Sequence, residues 1–214
     1  MKPNRKPRRH RIEPSTADEE LDALVPSDLH HLSRAHWTPV EIAVRAVTLL
    51  CPAPRMTILD VGAGVGKLCV IGAMSSWGVW CGIERHGSLV DSATRLARTL
   101  GVTAYTSFIH GDAFSIDWGV FDAIYLYNPF ELAPFPTDPA RHALEFRVQV
   151  AQVQDRLAAL PDGVRVVTLH GFGGAMPASY QLVYQERFPA AGLDLVLWVQ
   201  RARARARRAV REPS

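Results

Sequence analysis

The sequence predicts an α/β fold of three layers, doubly wound, with a mostly parallel seven-stranded sheet that finishes in a C-terminal antiparallel hairpin. Three observations carry this prediction. Short continuous apolar runs such as "MTILDVG" mark strands buried on both faces of a parallel sheet. Helical stretches alternate with them after about Ser27. The last two strand-like runs, "SYQLVYQERF" and "LDLVLWVQ", are joined only by the turn "PAAG", which forces an antiparallel pair.

Each element has a local reason. In "HWTPVEIAVRAVTLL", Thr38 is read as an N-cap, Pro39 as the first helical residue and Glu41 as an acid in the first turn. Ile42, Val44, Ala46, Val47 and Leu50 would form its apolar face. "CPAPR" stops that helix and "MTILDVG" is the first strand. A helix starts at the glycines and runs through "KLCVIGAMSSW"; "VWCGIE" is the second strand. "SLVDSATRLARTLG" is a helix closed by Gly101, and "AYTSFIHGD" is the third strand with its exit. "FDAIYLYNPF" is the fourth strand, ending in a proline turn. A long helix from about Pro139 to Leu160 leads through "PDG" to the fifth strand, "VRVVTLH".

The 214 residues, 48% hydrophobic, suffice for one α/β domain. Residues 1–26 read as a disordered charged segment, 27–200 as the folded domain, and 201–214 as an Arg-rich tail. No apolar run reaches the length of a membrane span, and the basic start is followed by acidic residues, so a cytoplasmic protein is expected. Cys51, Cys69 and Cys81 have no C-x-x-C spacing and read as buried free thiols, and no metal site is expected. The net charge of +3 comes largely from the two ends. The tail "RARARARRAVREPS" is either a solvated run or a grip on phosphate backbones, and could extend the last strand or form a frayed helix.

The stretch "TILDVGAGVGKLCV" carries most of the functional information. In doubly wound sheets ligands bind at the carboxyl ends of the strands, where the strand order reverses. Gly62, Gly64 and Gly66 follow G-x-G-x-G, not the G-x-G-x-x-G of a dinucleotide loop, and no P-loop pattern is present. Asp60 in front of the loop would repel a phosphate but suits a ligand bearing an ammonium and a sulfonium.

Between Thr38 and Gln200 the chain resembles the class I S-adenosylmethionine-dependent methyltransferases, whose first motif looks like "ILDVGAGVGKL". The resemblance implies a Rossmann-like methyltransferase fold, S-adenosyl-L-methionine as cofactor, and a set of site residues. Asp60, Gly62, Ala63, Gly64 and Gly66 would form the donor loop, with Glu84 on the ribose hydroxyls and Arg85 beside it. Asp112 and Ala113 in "HGDAF" would hold the adenine. In "YLYNPFE", Asn128, Pro129 and Phe130 match three features of the turn with which family members methylate nitrogen; Asn128 and the Tyr127 region would position the acceptor, with Glu131 a weaker proton acceptor. The second proline of that turn is missing, which weakens the case for a nucleic-acid base as substrate. The motif order is similar to the non-SET lysine methyltransferases and their small bacterial relatives, in which a Thr-Pro helix start, here Thr38, closes over the methionine end of the cofactor. Thr38-Pro39 reads equally as a plain helix cap.

The expected function is therefore methyl transfer to a nitrogen of a protein lysine or other amine. RNA, DNA or small-molecule methylation, or a non-catalytic cofactor-binding module, are the alternatives, and nucleic acid could engage the basic ends. An NAD-linked oxidoreductase is disfavoured by the loop spacing, by Asp60 and by the lack of a Tyr-x-x-x-Lys pair. His36, His110 and His170 stand near the motifs and read first as hydrogen-bonded structural residues. "HGFGGAMP" after strand five either lines the acceptor pocket or makes a tight bend.

Overall fold

Why the apolar runs become one sheet is visible in a computed structural model of the chain, which describes residues 17–32, 37–129 and 139–201. Among the described residues there are five α-helices: α1 Ala17–Asp22, α2 Val40–Leu50, α3 Lys67–Ser75, α4 Gly87–Thr99 and α5 Pro139–Ala159. The strands are β1 Thr57–Val61, β2 Val79–Glu84, β3 Thr106–His110, β4 Ala123–Tyr127, β5 Arg165–Leu169, β6 Tyr180–Phe188 and β7 Leu193–Gln200. They form one seven-stranded sheet in the order β3-β2-β1-β4-β5-β7-β6. The first five are parallel, and β7 runs antiparallel between β5 and β6. The order reverses between β1 and β4, and it is outside the carboxyl ends at such a reversal that open α/β sheets form a crevice.

Alternation along the strands divides the core into two layers. Ile58 and Tyr125 face α1 to α4, in a cluster with Ile42, Leu50, Leu68 and Leu96. Leu59, Val61, Ile124 and Leu126 face the other way, against Val153 and Leu157 of α5 and against Trp118. The ladder of β6 and β7 slips between Leu182 and Tyr184, so Val183 has no partner across the pair.

Three expectations are corrected. Residues 17–26 are not a disordered segment: Ala17, Leu21 and Val25 recur at helical spacing and are buried in the same cluster as Trp37 and Val40. Residues 1–16 and 202–214 lie outside the described residues. Helix α2 begins at Val40 with Pro39 at the N-cap position, and Thr38 does not cap it. The cap comes from far away in sequence, since the Asp18 carboxylate accepts the Val40 N–H at 3.0 Å. On α2 itself Ala43 is buried while Val44 is exposed. Trp77 is 56% exposed at the turn before β2. The remaining boundaries follow the sequence closely. Gly101, at φ 68°, closes the end of α4, where Val102 N–H bonds to Ala97 O. Among the described residues no helix is long and apolar enough to cross a membrane.

Candidate active site

The glycine loop joins β1 to α3 in a shape that side chains would block. Gly62, Gly64 and Gly66 all have positive φ. At Gly66 a Cβ would lie 2.6 Å from the Phe108 ring and 2.8 Å from Ala93, so sterics and backbone both demand glycine. At Gly62 a Cβ would stand 3.1 Å from Pro129. At Gly64 it would meet nothing within 4 Å, so this is the loop's open face. The amides of Gly62 and Ala63 both donate to Ile83 O, tying the loop to β2.

Glu84 ends β2 and is only 8% exposed. Its Oε2 accepts the Gly64 N–H at 3.0 Å and its Oε1 accepts the His86 N–H at 3.0 Å. Two backbone donors thus fix a buried carboxylate beside the open face of the loop, which offsets the cost of burying its charge. Arg85, next to it, is exposed, and its carbonyl meets His110 Nε2 at 3.1 Å.

Asp60 lies near the middle of the sheet, 4% exposed, with Cys69 Sγ 3.6 Å from its Oδ2. Burial pushes its carboxyl up to about 7; the Cys69 hydrogen bond pulls it down and the Glu84 charge pushes it further up. Burial, and Asp60 beside it, also push the Cys69 thiol well above its usual range, so it stays a donor. Tyr125 is the strand partner of Asp60 on β4. Its hydroxyl, likewise pushed up by burial, shares a 2.8 Å hydrogen bond with Thr38 Oγ1. Thr38 therefore reaches a buried polar group of β4, the strand beside Asp60, instead of capping α2.

On the far side, Gly111 N–H donates to Glu84 O, so the exit of β3 leaves the sheet beside Glu84. There Asp112 is exposed and its Oδ1 accepts the Phe114 N–H at 2.7 Å, making an Asx-type turn. The Ala113 carbonyl accepts from Trp118 Nε1 at 2.8 Å. On the near side, β4 leads from Tyr127 into Asn128, which holds the left-handed φ of 39°, and then Pro129. Asn128 N–H donates to Gly171 O at 3.0 Å. Phe130 and Glu131 lie outside the described residues.

Sequence reasoning missed two residues here. Lys67, directly after the loop, is 5% exposed; its ammonium pairs with Asp18 and, at 3.1 Å, with Asp22, and lies 5.9 Å from the centre of the Trp37 ring. Asp18 was detectable from the spacing of Ala17, Leu21 and Val25, but its partners were not. Among the described residues no group of three His, Cys, Asp or Glu side chains is arranged to hold a metal.

The chain has the class I methyltransferase fold. It is similar to an RNA methyltransferase from Salinibacter ruber in complex with S-adenosyl-L-homocysteine, at 21% identity and TM-score 0.59, covering 78% of this chain and 95% of that one. It is also similar to TrmN from Thermus thermophilus, at 20% identity and TM-score 0.54, with 74% of this chain aligned to 48% of that one. The [4+2]-cyclase SpnF matches at 15% identity and TM-score 0.54, over 76% of this chain and 81% of that one. No family model and no curated protein matches the sequence. A fold that serves both a methyltransferase and a cyclase leaves the chemistry to be argued from the site.

Proposed function

We propose that the chain binds S-adenosyl-L-methionine between β1 and β2 and transfers its methyl group to a nitrogen, on a protein lysine or another amine. The observation that supports this best is the double contact on one loop: Glu84 holds Gly64, and Pro129 rests against Gly62. The loop read as the donor cradle and the turn read as the acceptor site therefore touch.

In this reading the lone pairs left on Glu84 accept from the ribose hydroxyls, and Asp112 and Ala113 receive the adenine. Asp60 faces the cationic methionine end with Thr38 above it, and Arg85 stands at the rim. The donor supplies a methyl group already activated on a sulfonium. The chain's own work is to hold the acceptor in line with that methyl, exclude water and keep the acceptor amine neutral. The Asn128 carboxamide accepts an amine hydrogen, Tyr127, Pro129 and Phe130 shape the pocket, and Glu131 is a secondary proton acceptor.

RNA is the second reading. It is favoured by the similarity to the Salinibacter RNA methyltransferase and by the arginine-rich end of the sequence.

The test is calorimetric titration with S-adenosylmethionine and S-adenosylhomocysteine, with NAD as control, on wild type, Asp60→Ala and Glu84→Ala. Micromolar binding lost in both variants is the expected result. Well-folded protein that binds neither adenosyl ligand would sink the assignment. Labelled-methyl transfer into separate protein and RNA pools then chooses between the acceptors, and binding without any transfer would mark a non-catalytic module.

A further inference from the structure

Beside the proposed acceptor turn lies a residue that the reading above does not use. Strands β4 and β5 are paired in register up to Tyr127 and Leu169. The next residue on each strand is Asn128 and His170. Both adopt left-handed backbone, at φ 39° and 56°, which a non-glycine residue holds only at some cost. The two strand ends are tied together, since Asn128 N–H donates to Gly171 O at 3.0 Å.

His170 is exposed, and its imidazole has no hydrogen-bond partner among the described residues. Its support is nonetheless fixed. Its own N–H donates to Asp194 O at 3.0 Å, and Phe172 two residues on is buried. A Cβ at Gly173 would lie 2.3 Å from the Phe146 ring, and one at Gly174 2.7 Å from Val150, so this loop lies flat against α5. On the β6–β7 hairpin, Asp194 and Arg187 are 3.9 Å apart and pair with each other.

The geometry points to His170 as the proton acceptor of the transfer reaction, an assignment that rests on the methyltransferase reading. Transfer breaks the sulfur–methyl bond, whose electron pair stays on sulfur, and forms a nitrogen–methyl bond with the acceptor's lone pair. The methylated product keeps its charge as an ammonium; the proton that must leave is the one the acceptor ammonium sheds beforehand to free that lone pair. That proton passes to a free imidazole nitrogen of His170 and on to water. Asn128, one strand over, orients the acceptor but cannot take the proton, because a carboxamide is not a base at neutral pH. A histidine is the side chain most often used for this step.

The test uses the full chain with methyl-tritiated S-adenosylmethionine and, as acceptors, RNA and protein pools from cells lacking it. His170→Asn and His170→Gly both tolerate the left-handed backbone, so they remove the imidazole without adding strain. Both should keep wild-type affinity for S-adenosylhomocysteine by calorimetry while turnover falls about 100-fold. Free imidazole should restore turnover to His170→Gly and leave Asn128→Ala unaffected. Turnover of His170→Asn within about threefold of wild type would overturn the assignment, as would a lowered His170→Gly activity that imidazole does not raise. If wild type labels neither pool, or fails to bind S-adenosylhomocysteine, the methyltransferase reading fails first and takes this assignment with it.

Discussion

Asp60 shows what a single buried carboxyl costs the fold. Among the described residues only the Cys69 thiol donates to it, and burial pushes its carboxyl up to about 7. An acid raised in the folded state makes the folded protein less stable as pH climbs from the unfolded value, about 4, to the folded one. Above pH 7 the whole penalty is present. Asp60→Asn should therefore raise the melting temperature of the ligand-free protein at pH 8 by about 3 °C or more, with the gain vanishing near pH 4. The same variant should bind S-adenosylmethionine at least tenfold more weakly at pH 8. Wild-type affinity for this cationic donor should rise with pH, by up to about tenfold per unit below 7, as Asp60 ionises. An Asn variant no more stable than wild type at pH 8 would mean that Asp60 is not the destabilising charge described.

At the scale of elements, α1 matters more than its six residues suggest. Asp18 caps the first turn of α2 and pairs with Lys67 in the first turn of α3, so one carboxylate serves two helix N-termini that flank the glycine loop. Asp18→Ala should cost about 2 kcal/mol in urea unfolding, since a lost cap alone costs about 1 and Lys67 keeps only Asp22. It should also weaken donor binding. A variant with unchanged stability would show that α1 is an ornament on the domain. These contacts also explain what the sequence could not reveal. Parallel strands announce themselves because burial on both faces leaves an unbroken apolar run, as in Ile58 to Val61 with Asp60 the telling exception. Asp18 and Lys67 are 49 positions apart, and a charge-rich start looks like a solvated one until its partners are known. Thr38 was half legible: its place at the start of a helix was visible, its hydrogen bond to Tyr125 was not. The loop glycines were legible as a pattern, whereas the contact between Gly62 and Pro129 required the pairing of β1 with β4.

For the whole molecule, the order of strands was readable only in part. The short link between β6 and β7 dictated an antiparallel pair, but nothing local states that β7, not β6, lies against β5. The arginine tail continues from β7, whose end is secured by the Arg201 N–H to Ser179 O. Removing residues 202–214 takes away five arginines and leaves every described strand whole. If RNA is the acceptor, the truncated chain should bind it more weakly, with a log–log salt slope shallower by up to about 3.5. An unchanged slope would remove the tail from RNA binding.

Because β7 is inserted, β6 becomes one of the two outer strands of the described sheet, nine residues long, with Leu182 and Val183 exposed. A straight strand of that length and character invites another copy to add to it, and another to that. The register slip at Val183 is the kind of irregularity that bends an outer strand and disfavours edge-to-edge addition, so straightening it by deleting Val183 should raise self-association in light scattering.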